Sequence, residues 1–356
     1  MLRIKGQLAP AQRDWVLLEA ERAISSPPPH LVGCAFKHNL GINNNEYTSL
    51  SSYYWPNPLS PDGLPYVKRD TPNPEKLLKC DRAKVEESMN SIKSLFVSYA
   101  ITKDQRYAEG LTKSIRSFFI DPSTGMAPNL THSGIVPIEN GGYKKSGCII
   151  DGLCFWPLST FVRTIEGSPL WPDQDKTAMK RWFNSMSRWM MKSKFGKKAF
   201  NKQNNWLTSH QLQTTCYLVG ANKSYEAKSL LADNFGRILS SQIDSQGSQP
   251  LELERQDPLH YTNYNLHMMS RLALVGKSLK VDMWNHTDES GCGSIYKAMR
   301  FAAEMIQEKG AISERDCEQN LSWLRIASKV YGDEVFADLA AKYEGDNSLY
   351  LDGLIV

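Results

Sequence analysis

Between Pro250 and Leu266 the chain reads PLELERQDPLHYTNYNL, which brings an arginine, a histidine and two tyrosines (Arg255, His260, Tyr261 and Tyr264) into one short stretch. The acidic residues Glu252 and Glu254 precede them, and Pro258 prevents a helix from running through. An apolar-periodic run of Tyr261, Tyr264, Leu266, Met268, Met269 and Leu272 then predicts a helix. The polar groups are therefore expected where a loop meets a helix N-terminus, a place where backbone N–H groups and side chains converge on an anion. The plainer reading pairs Arg255 with a neighbouring glutamate and packs the tyrosines in a core.

Three other segments carry aromatic, amide and cationic residues of the same kind. They are YYWPNP with Tyr54 and Trp55, PNLTHS with Asn129 and His132, and NKQNNWLTSH with Asn204, Asn205, Trp206 and His210. Aromatic faces beside amides suit a sugar polymer, because rings stack on the C–H surfaces of pyranoses while amides bond their hydroxyls. An arginine among them points to an acidic sugar, since the guanidinium fork matches a carboxylate. For Tyr54 and Trp55 the alternative is a proline-stiffened hydrophobic plug, the usual fate of large aromatics.

The elements that must position these residues read as helices. Residues 11–25 form a short amphipathic helix broken by SSPPPH. Residues 32–73 form a long irregular stretch of a length usually reserved for function. From Pro74 the pattern is helical almost to the end: 75–102 and 104–120 as a pair turning at Lys103 and Asp104, then an irregular insertion over 121–147. Helical stretches follow over 151–167, 175–193, 205–221, 225–243, 265–279, 295–310, 317–332 and 333–345, with KSKFGKKAFNKQ as a basic loop. About ten helices joined by short turns, with almost no alternating strand pattern, predict an all-α protein. Its architecture is expected to be an (α/α) toroid or incomplete α/α barrel whose long rim loops build one site. No fixed repeat period supports an open solenoid, and the absence of a low-complexity linker predicts a single domain over 1–356.

Composition narrows the classes. The 356 residues are 41% hydrophobic and 22% charged, which is globular, and no apolar run is long enough to span a membrane. A net charge of +4 with no nucleic-acid motif argues against a nucleic-acid binder. The seven cysteines show no zinc spacing. The first residues, MLRIKGQLAPAQRDW, lack the apolar centre of a signal peptide, so a secreted or periplasmic location would require a leader outside this sequence. Sequons at Asn129, Asn222, Asn285 and Asn320 are compatible with secretion.

The segments YYWPNPLSPDGLPYVKRDTPNPE, FFIDPSTGMAPNL, NNW and QPLELERQDPLHYTNYNL, in that order, resemble the motifs of alginate lyase-like polysaccharide lyases. The resemblance covers roughly Tyr47 to Leu274. It implies an (α/α) toroid and β-elimination of a polysaccharide that contains uronic acid. Such an enzyme removes the C5 proton beside a carboxylate whose charge must first be neutralised. In the family an asparagine, usually followed by histidine, and an arginine do this; Asn205 and Arg255 match those positions, and Tyr261 or Tyr264 matches the tyrosine that acts as base, acid or both. A tyrosine with an ordinary pKa near 10 needs cationic neighbours to serve as a base, and Arg255 with a charged His260 would supply them. No metal or other cofactor is implied, because Asn and Arg take the place of a cation.

The chain departs from the family pattern at one position: Trp206 stands where relatives have the histidine. His210 lies one helical turn further on the same face and can reach the same space; His132 or His260 are the other candidates. Tyr54, Trp55, Asn129, His132, Asn204 and Trp206 would position sugars. Two rival functions remain at this level. One is a glycan-binding relative without catalysis. The other is a hydrolase on the same scaffold, with Asp151 and either Glu252 or Glu254 as its carboxylates. Acidic polysaccharides such as alginate or glucuronan are the expected substrates.

Overall fold

The computed structural model describes residues 10–31, 35–69, 71–75, 80–287, 293–310 and 314–343, without the side chains of residues 35, 36 and 314–321. Its compact units are Val16–Lys198, here the first unit, and Met1–Trp15 with Ala199–Val356, the second. The helix α1 (Pro10–Ser25) contains the division between Trp15 and Val16.

In the first unit a short helix α2 (Ala35–Asn39) is followed by the strands β1 (Thr48–Leu50), β2 (Tyr54–Trp55) and β3 (Val67–Lys68). The long helix α3 (Arg82–Thr102) packs against α4 (Gln105–Ile115), as the periodicity predicts. Their turn is the expected one. Lys103 takes the left-handed conformation (φ 62°) and its N–H bonds the Tyr99 carbonyl, while Asp104 caps α4 through the Arg106 N–H. Of the helix expected from residue 75, residues 76–79 lie outside the described residues, and the described helix begins at Arg82. A π-helical turn over Arg116–Ile120 continues α4.

The insertion over 121–147 is not wholly irregular. It carries β4 (His132–Pro137) and β5 (Tyr143–Lys145), which form a three-stranded sheet in the order β1-β4-β5, with β1 parallel and β5 antiparallel to β4. β2 and β3 make a separate antiparallel pair. These strands escape a pattern search because they are too short to show a period of two, and β4 is buried along nearly its whole length. A 3₁₀ turn at Ile149–Phe155, α5 (Leu158–Ile165) and α6 (Asp173–Lys192) complete a core in which Phe119, Phe155, Trp182 and Phe183 meet edge to face.

The basic stretch expected as a loop is largely helical: Lys194–Phe200 form α7, with Phe195 and Ala199 buried. Those two apolar residues, four apart, give it one anchored face while its lysines stay in solvent.

The second unit continues with α8 (Asn205–Gly220), α9 (Ser224–Gln242), α10 (Pro250–Leu253), α11 (Pro258–Ser278), α12 (Ile295–Lys309), α13 (Glu314–Tyr331) and α14 (Glu334–Tyr343). α8 packs against α9 and α11, α11 against α12 and α13, and α13 against α14. Leu212, Leu231, Ile238, Leu266, Met268, Leu272, Ala302, Trp323 and Phe336 fill the interior. α8 is buried almost all round although its sequence is rich in Thr, Ser and Gln. Some of its polar side chains bond along the helix, Gln213 donating to Ser209 and accepting from Tyr217, while Thr208 donates to Gln242, which also accepts from Asn265.

Candidate active site

Asn204 caps α8: its backbone is extended and its side-chain oxygen accepts from the Trp206 N–H. Asn205 is the first helical residue and is only 2% exposed. Its backbone N–H, one of the donors that a helix N-terminus leaves without a partner inside the helix, goes to Glu252 Oε1 at 2.7 Å. Its side-chain Nδ2 lies 2.9 Å from Oε1 and 2.8 Å from Oε2 of the same glutamate. Glu252 sits on α10, which Pro250 starts, and is itself 2% exposed. Burial raises its carboxyl above the usual range; the Asn205 bonds and the positive charges of Arg255 and His260 oppose that rise.

From α10 the chain turns through Arg255, whose N–H bonds the Glu252 carbonyl at 3.2 Å. Asp257 then caps α11, accepting from the His260 N–H, with Pro258 in the first helical position. Since α11 starts at Pro258, His260 as well as Tyr261 and Tyr264, with which the apolar run began, lies on its first two turns. His260 and Tyr264, one turn apart, stack with ring centroids 5.9 Å apart, and Tyr261 meets His260 edge-on at 5.0 Å. The Arg255 guanidinium lies 3.7 Å from the centroid of the Tyr261 ring. Arg255, Tyr261 and Tyr264 are half-buried, which leaves them within reach of a ligand, while His260 is nearly enclosed. One carboxylate, one amide, one guanidinium, one imidazole and two phenols thus gather at the starts of α8 and α11.

The other two members of the α8 segment are placed differently. Trp206 is half-buried on the first turn. His210 is 2% exposed, and its ring meets the Phe200 ring edge-on at 5.5 Å. Phe200 is covered in turn by the Arg237 guanidinium, 4.4 Å from the ring centroid. His210 is therefore packed inside the helix bundle of this unit.

The first unit holds the remaining candidates. Tyr54 and Trp55 are half-buried in β2. The Trp55 indole N–H donates to the Thr71 carbonyl, and Arg69 lies over its ring at 5.3 Å, so this aromatic is fixed by its own hairpin. The Asn129 side-chain oxygen accepts the Thr131 N–H. His132 is held on both sides, with Nε2 3.3 Å from Glu46 and Nδ1 3.1 Å from the Tyr143 hydroxyl; burial, with Lys145 and Lys37 nearby, lowers its pKa. Asp151 accepts from Tyr47, Ser49, Ser133 and Arg82. That is a structural carboxylate with its lone pairs committed. Asp151 belongs to the first unit and Glu252 to the second, each hydrogen-bonded within its own unit.

What sequence reasoning missed is the link between Glu252 and Asn205. Nothing in the spacing announces it, because the partners are 47 residues apart. Among the described residues no cluster of His, Cys, Asp and Glu is arranged to hold a metal ion.

Residues 41–312 match the family model described as alginate lyase. Comparison with curated proteins gives no match. Among solved structures, an alginate lyase from Bacteroides ovatus is 27% identical with a TM-score of 0.85, covering 97% of this chain and 92% of its own. Alginate lyase A1-III from Sphingomonas species A1 superposes with a TM-score of 0.58 at 15% identity over 91% of this chain and 88% of its own. A variant of alginate lyase A1-III complexed with a tetrasaccharide gives 0.63 at 15% identity, over 93% and 85%. The fold shared with these enzymes is the all-α, (α/α)-toroid class that the helical periodicity and the motif resemblance predict.

Proposed function

The chain belongs to the alginate lyase family, and from that premise we propose that it cleaves alginate or a related polyuronate, glucuronan included, by β-elimination at the cluster on α8, α10 and α11. Its class is polysaccharide lyase, and its substrate an acidic polysaccharide. The observation that carries the assignment of residues is the Arg255 guanidinium lying 3.7 Å from the Tyr261 ring, next to His260.

In this reading Asn205 and Arg255 bind the carboxylate of the uronate whose C5 proton is removed. Their hydrogen bonds draw charge from that carboxylate and stabilise the extra negative charge it takes on as the proton leaves. Tyr261 takes the C5 proton; the C5–H electrons form the C4=C5 double bond, the C4–O bond breaks, and the departing oxygen takes a proton from the same tyrosine or from Tyr264. A guanidinium on the face of Tyr261 is placed where a phenolate needs a positive charge. His260, between the two tyrosines, is the histidine that assists. His210 is packed against Phe200 and serves the fold. Trp206, in the position where relatives carry histidine, contributes an apolar surface for a sugar ring. Asn204 sets the start of α8; Tyr54, Trp55, Asn129 and His132 are sugar-contacting candidates of the first unit by itself. An extracellular or periplasmic setting accords with a polymeric substrate.

The test is ultraviolet absorbance during incubation with polymannuronate, polyguluronate, glucuronan and a neutral glycan. Elimination conjugates the new double bond with the carboxylate, so absorbance rises on at least one acidic polymer and not on the neutral one. Reducing ends released with no rise in absorbance would identify a hydrolase instead. Binding without cleavage would identify a glycan-binding relative.

A further inference from the structure

We propose that Glu252 is a positioning residue for the elimination: its buried carboxylate clamps Asn205 so that one side-chain N–H remains turned toward the substrate's carboxylate. The inference rests on the lyase reading above and adds to it a residue that need not touch the sugar.

The geometry is specific. Nδ2 of Asn205 is nearly equidistant from the two Glu252 oxygens, at 2.9 and 2.8 Å. Those oxygens share one carbon and occupy a narrow angle as seen from Nδ2, whereas the two N–H bonds of a planar amide diverge by about 120°. One N–H therefore straddles both oxygens and the other is directed away from Glu252. The amide cannot turn over, because that would set its oxygen against a carboxylate oxygen. The backbone N–H of Asn205, 2.7 Å from Oε1, fixes the residue a second time.

The turn that follows is closed by the backbone alone, the Glu252 main-chain carbonyl accepting the Arg255 main-chain N–H. At 2% exposure Glu252 acts through Asn205. A glutamate that merely satisfied the helix terminus would not need to grip the Asn205 side chain as well.

The experiment compares wild type with Glu252→Gln, Glu252→Asp and the double variant Asn205→Asp/Glu252→Gln on whichever polyuronate the wild type cleaves. Glutamine keeps the shape but sets an NH₂ against the Asn205 NH₂. The expected result for Glu252→Gln is a fall in kcat of about tenfold or more with KM changed less than about threefold, measured well below its melting midpoint. In the double variant the carboxylate introduced at position 205 accepts from the amide introduced at position 252, and the melting midpoint recovers toward wild type; this variant reads stability alone, because Asn205 itself binds the substrate. A Glu252→Gln protein with kcat within about twofold of wild type overturns the proposal. Should Glu252→Gln not fold, Glu252→Asp decides, because it keeps the charge one methylene shorter: full kcat overturns the proposal, and reduced kcat with an unchanged circular dichroism spectrum supports it. A wild type that yields no unsaturated product from any polyuronate overturns the lyase reading, and this inference with it.

Discussion

Arg255 and Tyr261 carry the chemistry proposed here, and their contact makes the first prediction sharp. Arg255→Ala removes a charge-assisted contact to the carboxylate and the cation on the tyrosine face. The expected loss is about 2 kcal/mol or more of transition-state stabilisation, or about thirtyfold in kcat/KM. Arg255→Lys keeps the charge without the fork and should fall between. Tyr261→Phe should abolish proton transfer, lowering kcat by at least about a hundredfold, with Tyr264→Phe less affected. The two histidines separate cleanly. His210, 2% exposed against Phe200, should show its effect in stability: His210→Ala lowers the melting midpoint and leaves kcat/KM near wild type. His260→Ala should lower kcat and leave the midpoint nearly unchanged, and the reverse pattern would reassign the assisting histidine.

At the scale of elements, the site depends on where α8 and α11 begin. Asn204 caps α8 and Asp257 caps α11, so each cap sits within a few residues of a proposed functional group. Asn204→Ala should destabilise the protein by about 1 kcal/mol, the usual value of an N-cap. Because frayed N–H groups at the start of α8 would also loosen Asn205, kcat should fall with it; denaturant unfolding and the ultraviolet assay measure both effects. Activity untouched by loss of the cap would mean that Glu252 alone holds Asn205.

For the molecule as a whole, stability has its own polar centre in the first unit, apart from the chemistry. The Tyr47 hydroxyl bonds Asp151, which also gathers Ser49, Ser133 and Arg82. Burial, and next the Asp151 charge, hold the Tyr47 pKa well above its ordinary value. A phenol whose folded pKa is raised favours the folded state below its unfolded pKa and loses that advantage as pH climbs past about 10. Unfolding should therefore become easier above that pH, and Tyr47→Phe should flatten the alkaline slope while costing roughly one hydrogen bond, about 1 kcal/mol, at neutral pH. Chemical denaturation at a series of pH values tests this. Nearby, Lys37 and Asp81 form an ion pair at 2.7 Å with both side chains fully buried. Lys37→Met would leave that carboxylate without its cation and should cost about 3 kcal/mol or more in unfolding free energy.

The helical class was legible because ten or so amphipathic runs repeat a period that only helices satisfy. The clustering of Arg255, His260, Tyr261 and Tyr264 was legible because they are neighbours in one stretch, and a helix brings residues one turn apart together whatever surrounds it. The short strands β4 and β5 were not, since too few residues alternate to outweigh chance. Nor was the burial of α8, whose Thr, Ser and Gln residues give no apolar face to announce it and whose Thr208 is met by Gln242 from another helix. Which glutamate holds Asn205 depended on a contact between segments 47 residues apart. Periodicity and local spacing lie in the sequence itself; the pairing of distant side chains is settled only by how the helices pack.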